Sequence, residues 1–130
     1  MKINIPAVLT VREGYYDILK LMSTAPPYNT LRNRELEVLA ELMYWYNHYG
    51  QYDREVRNIM AFDYNTRQKI MDKLSLNTLS LNNNFTALRK KGFIKGRELL
   101  KCLPDLSKVG TIELTYNCKI DGEKDLDDGR

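Results

Sequence analysis

Apolar positions along this chain recur at two periods, and the period changes at Gly92. Before that glycine the spacing is helical. In "NRELEVLAELMYWYNHYG", residues 33–50, Leu36, Leu39, Met43 and Tyr46 recur at spacings of 3, 4 and 3. That marks a stripe facing a core from an α-helix. Gly50 ends the helix, and Asn33 or the turn just before it supplies the N-cap. "EGYYDILKLMS" predicts an earlier helix with Tyr15, Ile18, Leu19 and Met22 on one side. Pro26 and Pro27 stop it, because proline cannot continue a helix. "DREVRNIMAF" predicts a shorter helix, and "NTRQKIMDKL" another, with Asn65 or Thr66 as its cap and Ile70, Met71 and Leu74 as its apolar face. The start, "INIPAVLTV", reads as extended and is broken by Pro6.

The segment "SLNTLSLNNNFTALRKKG" sets the main problem. Asn77 is a good N-cap and Gly92 a good C-cap for a helix ending at Lys91. Yet Asn82, Asn83 and Asn84 stand in its middle, although asparagine competes with the backbone for hydrogen bonds and is a mediocre helix former. On a helical wheel Leu81, Phe85 and Leu88 fall within about 60° of one another. They form the buried seam. Asn83, Thr86 and Lys90 lie opposite it, with Leu79 beside them and Asn82 on the flank. Asn84 falls near the seam's edge and is expected to be half-buried. The core then comprises Leu81, Phe85, Leu88 and Phe93 with Leu36, Leu39 and Ile70.

After Gly92 the pattern alternates. "FIKGRELLKCL" and "TIELTYNCKI" are strand candidates, joined by "PDLSKVG". In the second, Ile112, Leu114, Tyr116 and Cys118 alternate with Glu113, Thr115 and Asn117, a period of two. The last ten residues, "DGEKDLDDGR", read as a flexible acidic tail.

Charge sharpens this picture. The 130 residues carry a formal net charge of +3, but residues 65–101 hold nine basic and two acidic residues, a net of +7. Residues 1–64 have a net charge of −1 and residues 121–130 a net charge of −3. The positive field thus coincides with the asparagine-bearing helix, and clustered positive charge attracts polyanions. A solvated helical face is the bland alternative. Composition is otherwise that of a globular protein, with 43% apolar and 28% charged residues. The length suits a single domain over residues 1–120 with an N-terminal extension, followed by the tail at 121–130. No apolar run approaches the roughly 20 residues of a membrane span, and no signal peptide is expected. Abundant Lys, Asn, Ile and Tyr suggest an AT-rich genome, such as that of a phage or plasmid. Two cysteines without a CxxC pair fit a reducing cytoplasm.

Catalytic signals are weak. The chain has a single histidine, His48, among Tyr44, Trp45, Tyr46 and Tyr49. A lone His has no partners at metal-ligand spacing, and a surface or core role is expected for it. The aromatic cluster has the chemistry to stack single-stranded bases, but its helical spacing favours a core or a partner contact. There is no Walker loop, GxSxG or HExxH. Neither enzymatic activity nor a cofactor is expected.

A helix, a short turn, a second helix, Lys-Lys-Gly-Phe-Ile and then a hairpin together resemble the winged helix-turn-helix family, most closely its MarR-like arrangement. "LRNRELEVL" stands where that family opens a helix with a Leu-Thr-x-x-Glu phrase, and Arg32 occupies the place of a capping Thr. "LSLN" is similar to its Leu-Gly-Leu-Ser turn. "SLNNNFTALRKKG" matches its recognition helix, with Ser80, Leu81, Phe85, Leu88 and Gly92 in corresponding places. The chain departs from the family in a longer stretch from Tyr49 to Tyr64, in a polar Asn84, and in having no long C-terminal helix of the kind on which MarR-like dimers rely.

The resemblance implies a mainly α (α+β) fold, a winged helix-turn-helix with a C-terminal β-hairpin wing. It also implies that the helix over residues 77–91 enters the major groove of double-stranded DNA with its first half on base edges. Thr78, Leu79, Asn82, Asn83 and Thr86 would then meet bases. An Asn amide pairs with adenine N6 and N7 together, and Leu79 suits a thymine methyl. Arg67, Lys69, Arg89, Lys90, Lys91, Lys95 and Arg97 would meet the phosphate backbone, giving affinity without sequence information. The expected function is that of a small transcriptional regulator or replication-associated factor of a phage or mobile element. It would act in the cytoplasm, with a second copy as a homodimer or other phage proteins as partners and with no membrane, or in the virion under the alternative that follows. The alternative is a phage structural or assembly protein that uses the same scaffold for protein contacts, since a fold alone never settles function.

Overall fold

The computed structural model describes residue 3, residues 9–109 and residues 111–122. The acidic tail from residue 123 and most of the expected extended start lie outside these residues. Five α-helices, one small antiparallel hairpin and two short 3-10 turns (Tyr28–Thr30 and Leu106–Lys108) make up the regular structure of the described residues: α1 (Val11–Met22), α2 (Asn33–His48), α3 (Arg54–Ala61), α4 (Tyr64–Leu74), α5 (Thr78–Lys90), β1 (Ile94–Lys95) and β2 (Glu98–Leu99). Val11, expected to be extended, opens α1 instead. Thr10 caps this helix by accepting from the Glu13 backbone N–H, and its hydroxyl donates back to the Glu13 carboxylate at 2.9 Å.

Helix α2 is the centre of the molecule, packed against α1, α3, α4 and α5. Ten of its sixteen residues are buried, round most of the helix, and the side bearing Asn33, Glu37, Tyr44 and His48 is left partly or fully open, so its apolar face is far wider than a single stripe. Leu36, Leu39 and Met43 are buried as the spacing predicts, and Val38, Leu42 and Trp45 join them. The seam of α5, Leu81, Phe85 and Leu88, packs into the same cluster with Ile70, Phe62 and Phe93. Phe85 stands 5.6 Å from Phe62, ring centre to ring centre.

One cap differs from the sequence expectation. Helix α4 is capped by Asp63, whose carboxylate accepts from the Thr66 N–H at 2.8 Å, rather than by Asn65 or Thr66. An ionised acceptor at a helix N-terminus is favoured by the helix dipole as well as by the hydrogen bond. The N-cap of α2 lies, as expected, in the turn just before Asn33: it is Arg32, and the buried Glu35 reaches back to accept its backbone N–H at 3.1 Å.

Between α4 and α5 the chain turns on Ser75, Leu76 and Asn77. Ser75 is left-handed, with φ of 54°, and the N–H groups of Ser75 and Leu76 converge on the Met71 carbonyl. Asn77 then caps α5 through the Ser80 N–H at 2.7 Å. The far end of α5 closes as the sequence predicts. Gly92 takes φ of 83°, the Phe93 N–H donates to Leu88 and the Gly92 N–H donates to Arg89. That is a Schellman closure, with buried Phe93 beside buried Leu88.

The hairpin lies wholly inside the first strand candidate. Ile94 pairs with Leu99 and Lys95 with Glu98, so Gly96 and Arg97 form a two-residue turn. Gly96 has φ of 59° while Arg97 does not have positive φ, the arrangement of a type II′ turn. The second candidate, residues 111–120, is not a strand in the structure. Its alternation is real, but among the described residues no other strand lies beside it.

Candidate nucleic-acid interface

Helix α5 has two unlike sides. Its seam is buried, whereas Thr78, Leu79, Asn82, Asn83, Thr86 and Lys90 are exposed. Positions 79, 82, 83, 86 and 90 follow helical spacing and make one solvent-facing stripe. Leu79 is 69% exposed, a large apolar side chain held in water next to amides. The amides of Asn82 and Asn83 are the polar groups at the middle of the stripe. The Thr86 hydroxyl donates to the Asn82 carbonyl at 3.0 Å, so it offers its lone pairs outward and its proton inward. Thr78 donates weakly to the Met71 sulfur at 3.8 Å. Asn84 is half-buried, as its wheel position predicts, and its amide donates to the Ser80 carbonyl at 2.8 Å. The three asparagines therefore divide into two exposed amides and one that is used by the helix itself.

The basic residues also divide. Lys90, Lys95 and Arg97 are exposed. Arg89 is exposed and donates from Nε to the Gly96 carbonyl at 3.1 Å, joining the end of α5 to the hairpin tip. Lys91 points the other way. Its ammonium donates to the Thr30 carbonyl at 2.6 Å and to the Glu35 carboxylate. Burial of Glu35 opposes its ionisation, but the hydrogen bonds from Lys91 and the Arg32 backbone outweigh it and hold the carboxyl below its usual range. Lys91 is therefore committed to the protein, a correction to its placement at the phosphate backbone. A wheel angle gives the direction of Cβ, and a long lysine stem can turn its head to a buried acid.

Arg67 and Lys69, on α4, are also engaged. The Arg67 Nε lies 3.4 Å from the Asp63 carbonyl at the start of its own helix. The Lys69 ammonium stands 4.7 Å from the Trp45 ring centre, and Arg12 lies 5.4 Å from the same ring. The structure thus brings together the α5 stripe, Arg89 and the hairpin cations, and gives Lys91, Arg67 and Lys69 other contacts.

Several positioning residues carried no sequence signal. Asn58 is buried on α3 and accepts the Leu99 N–H at 2.9 Å, fixing the hairpin to the helical body. Arg54 pairs with Glu98 at 2.7 Å across the same junction. Asn47, buried at the end of α2, donates to the Tyr15 hydroxyl at 2.8 Å and the Leu103 carbonyl at 3.0 Å, and accepts from Arg57 at 2.8 Å. The Tyr15 hydroxyl in turn accepts from the Leu106 N–H at 3.1 Å. These bonds hold the chain after the hairpin against α1 and α2. Only a partner-by-partner account of buried polar groups finds such residues.

His48 is exposed and ringed by Tyr44, Trp45 and Tyr49 at 5.2–6.0 Å. Among the described residues no group of three or more His, Cys, Asp or Glu residues is placed to hold a metal ion, and no helix is long and apolar enough to cross a membrane. Both cysteines are free. The Cys102 sulfur is turned toward the Asn47 amide at 3.6 Å, and burial pushes its thiol up to about 11. No protein-family model, curated protein or solved structure matches the chain.

Proposed function

We propose that this protein binds double-stranded DNA as a winged helix-turn-helix, with α5 in the major groove and the Ile94–Leu99 hairpin as its wing. The observation that carries the proposal is the exposed amide stripe of α5, bounded by Arg89 and Lys90 at its end and by Lys95 and Arg97 on the hairpin. Asparagine weakens a helix, so two solvent-facing amides in mid-helix have a better rationale as hydrogen-bonding groups for base edges than as structure. Asn82 and Asn83 are the proposed readers of adenine, Leu79 meets a thymine methyl, and Thr78 and Thr86 take adjacent positions. Arg89, Lys90, Lys95 and Arg97 neutralise phosphates. Lys91 is left out of this set, because its charge is spent on Glu35. Its biological setting is that of a small regulator or replication-associated factor in the cytoplasm, without enzymatic activity.

The assembly reading draws on exposed apolar residues near the starts of helices, Tyr64 at 66% and Leu79 at 69%. One titration separates the two. On random duplex DNA, four displaced counterion sites give a slope of log affinity against log salt of about −3 to −4. Replacing Lys90, Lys95 and Arg97 by Ala flattens that slope by about one unit per cation removed. Absence of duplex binding at low salt rejects the DNA reading in favour of assembly.

A further inference from the structure

Residues 111–120 have the alternation of a strand, but among the described residues no strand lies beside them. The segment is held in place. The Tyr116 hydroxyl donates to the Leu21 carbonyl at 2.9 Å, and Leu114 and Tyr116 share a shallow cleft with Leu21, Met22 and Tyr28. Its apolar residues stay open to solvent all the same: Ile112 and Leu114 are 41% exposed, Tyr116 58% and Ile120 73%. From Thr111 to Cys118, no backbone N–H or carbonyl pairs with another backbone group among the described residues. A period-two apolar face with unpaired edges is a template for another strand.

We propose that this segment pairs antiparallel with the same segment of a second copy, centred on Tyr116, to form a two-fold symmetric dimer. The argument is self-complementarity of the sequence. About that centre Glu113 stands opposite Lys119 of the second copy, Ile112 opposite Ile120, Leu114 opposite Cys118 and Thr115 opposite Asn117. Each apolar residue meets an apolar one on one face, and the two charged residues meet with opposite sign. Directly opposed pairs are the unit of sheet stability, and two-fold pairing makes each cross-strand pair occur twice.

The neighbouring arrangements fail this test. Parallel in-register pairing sets Glu113 against Glu113 and Lys119 against Lys119. Moving the centre one residue toward the C-terminus sets Glu113 against Asp121. Moving it one residue the other way leaves Glu113 facing Asn117. A slip of one partner by a single residue puts apolar side chains opposite polar ones. Lys119 already has an interaction within its own chain, so pairing reorients it rather than supplying a first contact. A ribbon of about ten residues a side is smaller than a standard stable interface. The dimer is accordingly concentration-dependent.

Sedimentation equilibrium without DNA tests this directly and independently of the DNA proposal. The parent mass rises with concentration from one chain toward two. Glu113→Lys and Lys119→Glu each place like charges opposite one another at both ends of the ribbon, and each raises the dissociation midpoint by roughly tenfold or more. Mixed in equal amounts, the two variants restore both pairs, because one chain carries only positive and the other only negative charge at these positions. The mixture recovers the parent midpoint. Both positions are exposed, and an unchanged helical circular dichroism spectrum verifies folding. The proposal is overturned if the parent stays at the single-chain mass, if either variant dimerises as the parent does, or if the mixture does not recover.

Discussion

Helices α2 and α5 are of similar length, sixteen and thirteen residues, yet ten residues of α2 are buried and only three of α5. Three buried polar side chains of α2 are paired inside the protein: Glu41 with Arg12, Glu35 with Lys91, and Asn47 with Tyr15 and the chain after the hairpin. The amides of Asn82 and Asn83 on α5 face water. These polar residues of α2 serve the fold, whereas Asn82 and Asn83 of α5 stay available. Substitutions in α2 and in the α5 seam should therefore register as stability, and substitutions on the α5 stripe as binding.

The largest expected effect tests the seam. Phe85→Ala empties a site that is only 4% exposed and should cost about 3–5 kcal/mol in urea unfolding. An unchanged midpoint would show that the Phe85 side of α5 is not a buried seam.

Next, adjacent lysines should behave as opposites. Lys91→Ala leaves the buried Glu35 carboxylate without its cation and should cost about 2 kcal/mol. Lys90→Ala should leave stability within about 0.5 kcal/mol and weaken binding on every DNA sequence. Equal stability losses would show that Lys91 does not serve the fold. The same pair sets a pH dependence. The Glu35 carboxyl titrates below its ordinary range in the folded state, so its contribution is present above the ordinary carboxylate pKa and is lost as pH falls through the depressed value. Lys91→Ala should remove that part of the acid destabilisation, measured as unfolding midpoint against pH.

A smaller effect concerns the turn between α4 and α5. Ser75 holds φ of 54°, which costs a residue with a Cβ more than glycine. Ser75→Gly should stabilise by about 0.5–1 kcal/mol after the entropy of glycine is allowed for. Destabilisation would mean that the serine side chain holds the turn in a way its backbone angle does not reveal.

The sequence disclosed the α5 region well because several local signals agreed there. The Asn77 cap, the spacing of Leu81, Phe85 and Leu88, and the Gly92 closure each mark the same helix, and each is found. Elsewhere competing signals were close together. Asp63 caps α4 although Asn65 and Thr66 stand two and three residues later, and all three residue types can cap. The hairpin was masked by scale: "FIKGRELL" reads as one strand until Gly96 and Arg97 are seen to turn it back. Residues 111–120 show the limit of periodicity. Alternation specifies a strand face but says nothing about whether a partner strand exists in the same chain. The inward turn of Lys91 and the link from Asn58 to Leu99 depend on contacts between residues far apart in sequence, which no local pattern encodes.

Base reading by the outward amides of α5, as proposed, is tested with the least disturbance of the fold by Asn83→Ala. Stability should change by no more than a few tenths of a kcal/mol, because alanine is the better helix former and the exposed side chain has little packing to lose. Loss of a bidentate Asn–adenine pair should remove about 1–3 kcal/mol of discrimination at one base pair. The measurement is a binding-site selection from random duplex DNA, run on parent and variant at one salt concentration. The parent should select a motif, and the variant the same motif with preference lost at a single A·T position. A parent that selects no motif, or a variant that selects the parent's motif unchanged, would contradict it.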